Sequence, residues 1–201
     1  MDSSRKREKI EKIAFRLFLE KGYNETGIRE ICAKAGIEAP TLYYFYGSKK
    51  GLFFYLAKKL HTKFLSTNND MAIFNPDENP EEALYNMLQN RIVFTANHTM
   101  ETRFYLRYTL FPPQELKEDI QKFIAETSAA KKEFAFRCFT ECKRRGLIKV
   151  EAEVAVKYFL KFINNNAFDI IFSGWNPSQA EIKNLWEMFF KCRLAKTVVN
   201  E

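Results

Sequence analysis

The two histidines, His61 and His98, and the four cysteines, Cys32, Cys138, Cys142 and Cys192, are the residue types best suited to hold a metal or attack a substrate. Their spacing serves neither chemistry. A di-iron site in a helical bundle needs Glu-x-x-His pairs, yet the residues three before His61 and His98 are Lys58 and Thr95. No Cys-x-x-Cys pair occurs, and no histidine lies near Cys138 and Cys142 in sequence. The thiols read as buried groups of a reducing compartment. Neither a phosphate-cradling Walker loop nor a Gly-x-Ser-x-Gly elbow is present. The sequence therefore argues against an enzyme and calls for no metal and no cofactor.

Hydrogen-bond donors of another kind gather within residues 26–52. Arg29 can reach phosphate or guanine, and Thr41, Tyr43 and Tyr44 can donate to phosphate or touch base edges. Lys49 can reach a nucleic-acid backbone. Such groups read DNA only if rigid elements present them together. The spacing supplies the elements: a short helix from about Ile28 to Lys34, a turn around Gly36, and a second short helix ending near Tyr46. Ile31, Cys32 and Leu42 can lock the two together. Gly36 permits the turn backbone, and Pro40 suits a first helical turn, where its missing N–H costs little. An amphipathic helix over about 5–21, with Ile10, Ile13, Ala14, Leu17 and Phe18 at helical spacing, backs the pair. The alternative is three small helices packing on one another, with the tyrosines as ordinary surface or core.

Charge distribution fits the first reading. Residues 1–60 hold 13 Lys/Arg against 7 Asp/Glu, whereas residues 61–201 hold 19 against 18, so the excess of +7 lies almost entirely in the head. A basic head on a near-neutral body suits a polyanion partner, although a solubilising excess would look the same.

The stretch Thr26-Gly-Ile-Arg-Glu-Ile-Cys-Ala-Lys-Ala-Gly-Ile-Glu-Ala-Pro-Thr-Leu-Tyr-Tyr-Phe-Tyr-Gly-Ser-Lys-Lys-Gly-Leu52 resembles the signature of the TetR family of repressors. The preceding Ala14, Leu17-Phe18 and Gly22-Tyr23 are similar to that family's first helix. The likeness covers about residues 9–56. It implies an all-α protein of about nine helices: a helix-turn-helix domain over 1–50 and a helical effector-binding and dimerisation domain over 51–201. It also implies a homodimer on a pseudo-palindromic operator in double-stranded DNA, released by a small molecule. Carried over by position, the DNA contacts are Arg29, Ala39, Pro40, Thr41, Tyr43, Tyr44 and Lys49. Three residues depart from the family's habit. Glu38 stands in place of a capping Ser, Ala39 offers a base only a methyl, and Gly51 removes the acidic capping-box partner of Ser48.

The remainder reads as helices over about 81–97, 101–110, 115–145, 151–172 and 178–198, with a polar loop over 66–80. Asn176 with Pro177 fits the start of the last helix. Seams on the last two helices, carried by Leu160, Ile163 and Ala167 and by Ile182, Leu185, Trp186 and Phe189, either meet a second copy or face the chain's own core. Phe94, Tyr105, Tyr108, Phe134, Cys138, Phe162 and Phe168 are candidate walls of a pocket for a lipophilic or aromatic effector. Asn164-Asn165-Asn166 cannot all face solvent on one helix, and a buried amide needs a ligand, a dimer mate or another helix as partner. Asn165 is the candidate ligand contact. Asp169, one turn on, can meet a cationic ligand, Arg103 or Arg107. The start Asp2-Ser-Ser-Arg-Lys-Arg is neither a signal peptide nor an anchor. A soluble, cytoplasmic, nucleoid-associated protein with no membrane partner is expected.

Overall fold

The structure is a computed structural model describing residues 3–67, 75 and 78–194. It holds nine α-helices among the described residues and no strand. These are α1 (Ser3–Glu20), α2 (Ile28–Ala35), α3 (Ala39–Tyr46), α4 (Lys49–Thr67), α5 (Pro80–Asn97), α6 (Thr99–Leu110), α7 (Lys117–Arg144), α8 (Ala152–Ser173) and α9 (Gln179–Glu187). A 3-10 turn over Gln114–Leu116 precedes α7, and a π-helical turn over Met188–Leu194 follows α9. None of these helices is long and apolar enough to cross a membrane. Most of the expected polar loop over 66–80, and the end of the last helix beyond Leu194, lie outside the described residues.

The chain folds as two compact units. The first comprises residues 1–63 and 100–125, and the second residues 64–99 and 126–201. In the first, Ile10, Ala14, Leu17 and Phe18 of α1 are buried against Ile31, Cys32 and Ala35 of α2, Leu42 of α3, and Leu52, Phe53 and Leu56 of α4. Phe104 and Tyr108 of α6, with Leu116 and Ile120, complete this core. A head of four short helices offers little interior, so these later residues supply much of its aromatic mass. Phe53 alone packs against the rings of Phe18, Tyr23, Phe104 and Tyr108. The Tyr108 hydroxyl donates to the Phe18 carbonyl at 2.7 Å.

The second unit is centred on Leu84, Leu88 and Ile92 of α5, Ala135, Cys138, Phe139 and Cys142 of α7, Ala155, Phe159 and Ile163 of α8, and Ile182, Trp186, Phe189 and Phe190. The seams expected on the last two helices belong largely to this interior. Ile163, Ala167, Ile182, Trp186 and Phe189 are buried, and Leu160 and Leu185 are half-buried. The last helix starts two residues later than Asn176 would set it. Ser178 is its cap, accepting from the Glu181 N–H while Glu181 reaches back to the Ser178 N–H at 2.7 Å. That reciprocal box satisfies two end groups, more than an Asn176 cap followed by proline offers.

Candidate nucleic-acid interface

The turn between α2 and α3 forms as its glycine predicts. Gly36 is left-handed (φ 65°, ψ 45°), and its N–H and that of Ile37 donate to the Ala33 and Cys32 carbonyls at 3.3 and 3.1 Å. A β-carbon is disfavoured in this conformation. Glu38 then precedes α3 in an extended conformation, and no side chain caps that end. The Glu38 carboxylate has a nearer effect inside the head: burial, and secondarily this charge, push the Cys32 thiol above its ordinary range.

Only Leu42 of α3 is fully buried. Tyr44 is 83% exposed, Tyr43 is 48% exposed and Pro40 is exposed, while Ala39, Thr41, Phe45 and Tyr46 are half-buried. Arg29 projects from α2 into solvent. An exposed aromatic pair flanked by a hydroxyl and a guanidinium is a surface able to take phosphate and base edges.

Lys49 is placed differently from a free surface cation. Its ammonium donates to the Tyr23 carbonyl at 3.0 Å and the Thr26 carbonyl at 3.2 Å, and lies 4.3 Å from the Tyr23 ring centroid. Thr26, fully buried, donates in turn to the Gly22 carbonyl at 2.7 Å. Lys49 thus clamps the α1–α2 connection. Ser48 keeps a capping role without an acidic partner, because the Gly51 N–H donates to its Oγ at 2.9 Å. Gly51 itself answers to space: a β-carbon there would lie 2.0 Å from the Tyr46 carbonyl oxygen.

One charged residue of the head has no counterpart among the expected site residues. Glu11 is 6% exposed, on the core face of α1. Its Oε1 accepts from the Tyr46 hydroxyl at 3.1 Å, and its Oε2 pairs with the Lys59 ammonium. Burial, and then the Glu11 charge, push the Tyr46 hydroxyl well above the usual tyrosine range. The same two causes push the nearby Tyr55 hydroxyl above its ordinary range. The sequence does carry a signal for this cluster: a carboxylate stands next to Ile10 and three residues before Ala14, inside the apolar stripe of α1.

The residues proposed as pocket walls divide between the two units. Phe94, Phe134, Cys138 and Phe162 belong to the second unit, the first three buried and Phe162 stacked on Phe189 at 4.5 Å. Tyr105 and Tyr108 belong to the first unit, where Tyr105 is 40% exposed and Tyr108 is core. Of the three consecutive amides, Asn164 and Asn165 are exposed and Asn166 is buried. Asn166 finds its partner on its own helix, donating to the Phe162 carbonyl at 2.8 Å. Phe168 is half-buried and stacks on Phe172, and Asp169 is exposed. Arg107 is committed elsewhere, donating to the Leu19 carbonyl at the end of α1.

Two short helices joined by a left-handed glycine, the second presenting an exposed polar and aromatic face, define a helix-turn-helix protein. Residues 11–56 match the model for "Bacterial regulatory proteins, tetR family". A curated relative, "Probable HTH-type transcriptional regulator YttP" of Bacillus subtilis (strain 168), is 24% identical over 135 residues. That alignment takes in 67% of this chain and 63% of the relative, so it spans less than two thirds of the relative's length. Solved structures share the fold over nearly the whole chain. AibR in complex with isovaleryl coenzyme A and operator DNA superposes with a TM-score of 0.68 at 20% identity, covering 96% of this chain and 100% of AibR. NalD, the secondary repressor of the MexAB-OprM multidrug efflux pump in Pseudomonas aeruginosa, gives 0.72 at 18% identity, covering 98% and 100%.

Proposed function

We propose that this protein is a DNA-binding transcriptional repressor that reads a pseudo-palindromic operator as a homodimer. The observation that carries the reading is α3. Eight residues long, it is held by the buried Leu42 and offers Tyr43 and Tyr44 to solvent. Arg29, Thr41, Tyr43 and Tyr44 are the reading and phosphate-binding side chains, Ala39 and Pro40 make close backbone approach, and Lys49 supports the head from within.

The dimer is best carried by a stripe other than the one the sequence suggests. Val154, Tyr158, Asn165 and Phe172 are exposed and fall within about 40° of one another on α8 at 100° per residue. Phe172 and Met188 are 78% and 66% exposed. Exposed apolar side chains in such a row mark an association surface, and a second copy is the occupant that a two-fold operator requires. The second unit then hosts a small lipophilic or aromatic effector among Phe94, Phe134, Cys138 and Phe162. AibR, solved with isovaleryl coenzyme A and operator DNA, and NalD, a repressor, are in keeping with such a switch.

The test is selection of bound duplexes from the host genome, followed by titration of a selected duplex against random DNA at several salt concentrations. Tyr44→Ala and Thr41→Ala should each weaken the selected duplex about tenfold, as expected for loss of one good contact, and leave the melting temperature unchanged. No preference for any genomic duplex would refute the reading. A thermal-shift screen with lipophilic compounds tests the effector, since a binder of the native state raises the melting temperature.

A further inference from the structure

We propose that Glu11 is a positioning residue for DNA reading: it fixes the setting of α3 by holding Tyr46, and it ties that setting to α4. The inference rests on α3 being the reading helix.

A helix of eight residues is about 12 Å long, and α3 has a single fully buried anchor, Leu42. Ala39, Phe45 and Tyr46 pack partly against the same core, but apolar packing is non-directional and does not by itself fix the tilt. A second anchor on the same face decides the tilt. Tyr46 is four residues on, one turn along that face, and its hydroxyl donates to Glu11 at 3.1 Å. A hydrogen bond has a preferred length and direction, so it sets what Leu42 leaves open. The lever is short: a 1 Å slip at Tyr46, about 6 Å from Leu42, tilts α3 by about 10°. That reaches the tolerance of a binding constellation, roughly 0.5 Å and 10–20°.

The same carboxylate serves α4. Lys59 pairs with Oε2, while the Tyr46 and Tyr55 rings meet edge-on at 5.1 Å. One buried group on α1 thus gathers donors from α3 and α4. Apolar side chains would bind the three helices together with less desolvation cost, and a buried polar cluster is retained where a unique arrangement matters. Movement of α4 relative to α1 would pull on Glu11 through Lys59, and on the setting of α3 through Tyr46.

Tyr46→Phe removes one hydroxyl and keeps the ring. Binding to a duplex selected by the wild type, and to a random duplex of the same length, is measured for both proteins with melting temperature and salt slope. The ratio of the two affinities should fall about tenfold in Tyr46→Phe, the size of one charge-assisted hydrogen bond. The random-duplex affinity and the salt slope should not move, since no phosphate contact is lost. A merely structural role would lower the melting temperature and leave the ratio alone. Glu11→Gln keeps an acceptor for Tyr46 and should stay within about threefold of the wild-type ratio. A ratio within twofold of wild type in Tyr46→Phe, or a larger loss in Glu11→Gln than in Tyr46→Phe, overturns the proposal. A wild type that shows no preference refutes instead the reading on which it rests.

Discussion

Replacing Lys49 by methionine separates two roles that its position in the sequence merges. A lysine at the start of α4, just after the reading helix, reads as a phosphate contact. The structure spends its ammonium on the Tyr23 and Thr26 carbonyls at 3.0 and 3.2 Å and sets it over the Tyr23 ring. Hydrogen bonds to a charged group contribute about 1.5–3 kcal/mol each. For a half-exposed lysine, solvent screening takes each bond below that range, and we count the pair as about 2 kcal/mol. The cation over the ring adds about 0.5 kcal/mol. Methionine keeps the apolar stem, so the loss of about 2–3 kcal/mol is one of polar contacts. In a chain of this size, that lowers the melting temperature by roughly 4–10 °C, read by circular dichroism at 222 nm. The salt dependence of non-specific DNA binding should keep its slope, whereas loss of one phosphate contact would reduce it by about 1. An unchanged melting temperature with a slope lowered by one unit would show that Lys49 faces phosphate and that its internal bonds carry nothing.

Gly22→Ala should destabilise the first unit by more than about 1 kcal/mol. The residue has φ +93°, and a β-carbon would stand 2.6 Å from the Arg107 guanidinium, displacing the cation that caps α1; urea unfolding checks it, and a wild-type midpoint would contradict it. Gly51→Ala should also lose stability, because the Tyr46 carbonyl must move to admit the methyl. The expected companion is weakened selective DNA binding, measurable by fluorescence anisotropy. Burial lifts the Cys142 thiol from 9.0 to about 12. The folded chain therefore binds the proton more tightly than the unfolded chain, and this contribution is complete below pH 9 and lost as pH rises toward 12. The urea midpoint of the wild type should fall more steeply over that window than that of Cys142→Ala; parallel curves would rule the thiol out.

The sequence by itself determined the elements of the head and the chemistry of its exposed face. Periodicity placed α1 within two residues of its observed ends. Gly36 and Pro40 marked the turn and the first turn of α3, because left-handed backbone and a missing N–H are properties of single residues. Tyr43 and Tyr44 were legible as exposed for a related reason: a short helix buried fully only at Leu42 leaves its opposite face outside. What tertiary structure decided is where long-range partners meet. Lys49 became a clamp because Tyr23 and Thr26 turn their carbonyls toward it. Ile163, Ala167 and Trp186 became core rather than interface, since helical spacing defines an apolar face without saying which protein covers it. Phe104 and Tyr108 joined the core of the first unit across about 50 residues of sequence from Phe53. Glu11 lay in plain view as a charge inside an apolar stripe, but its meaning depended on Tyr46 and Lys59. Those two donors lie 35 and 48 residues away and become neighbours only when α1, α3 and α4 pack.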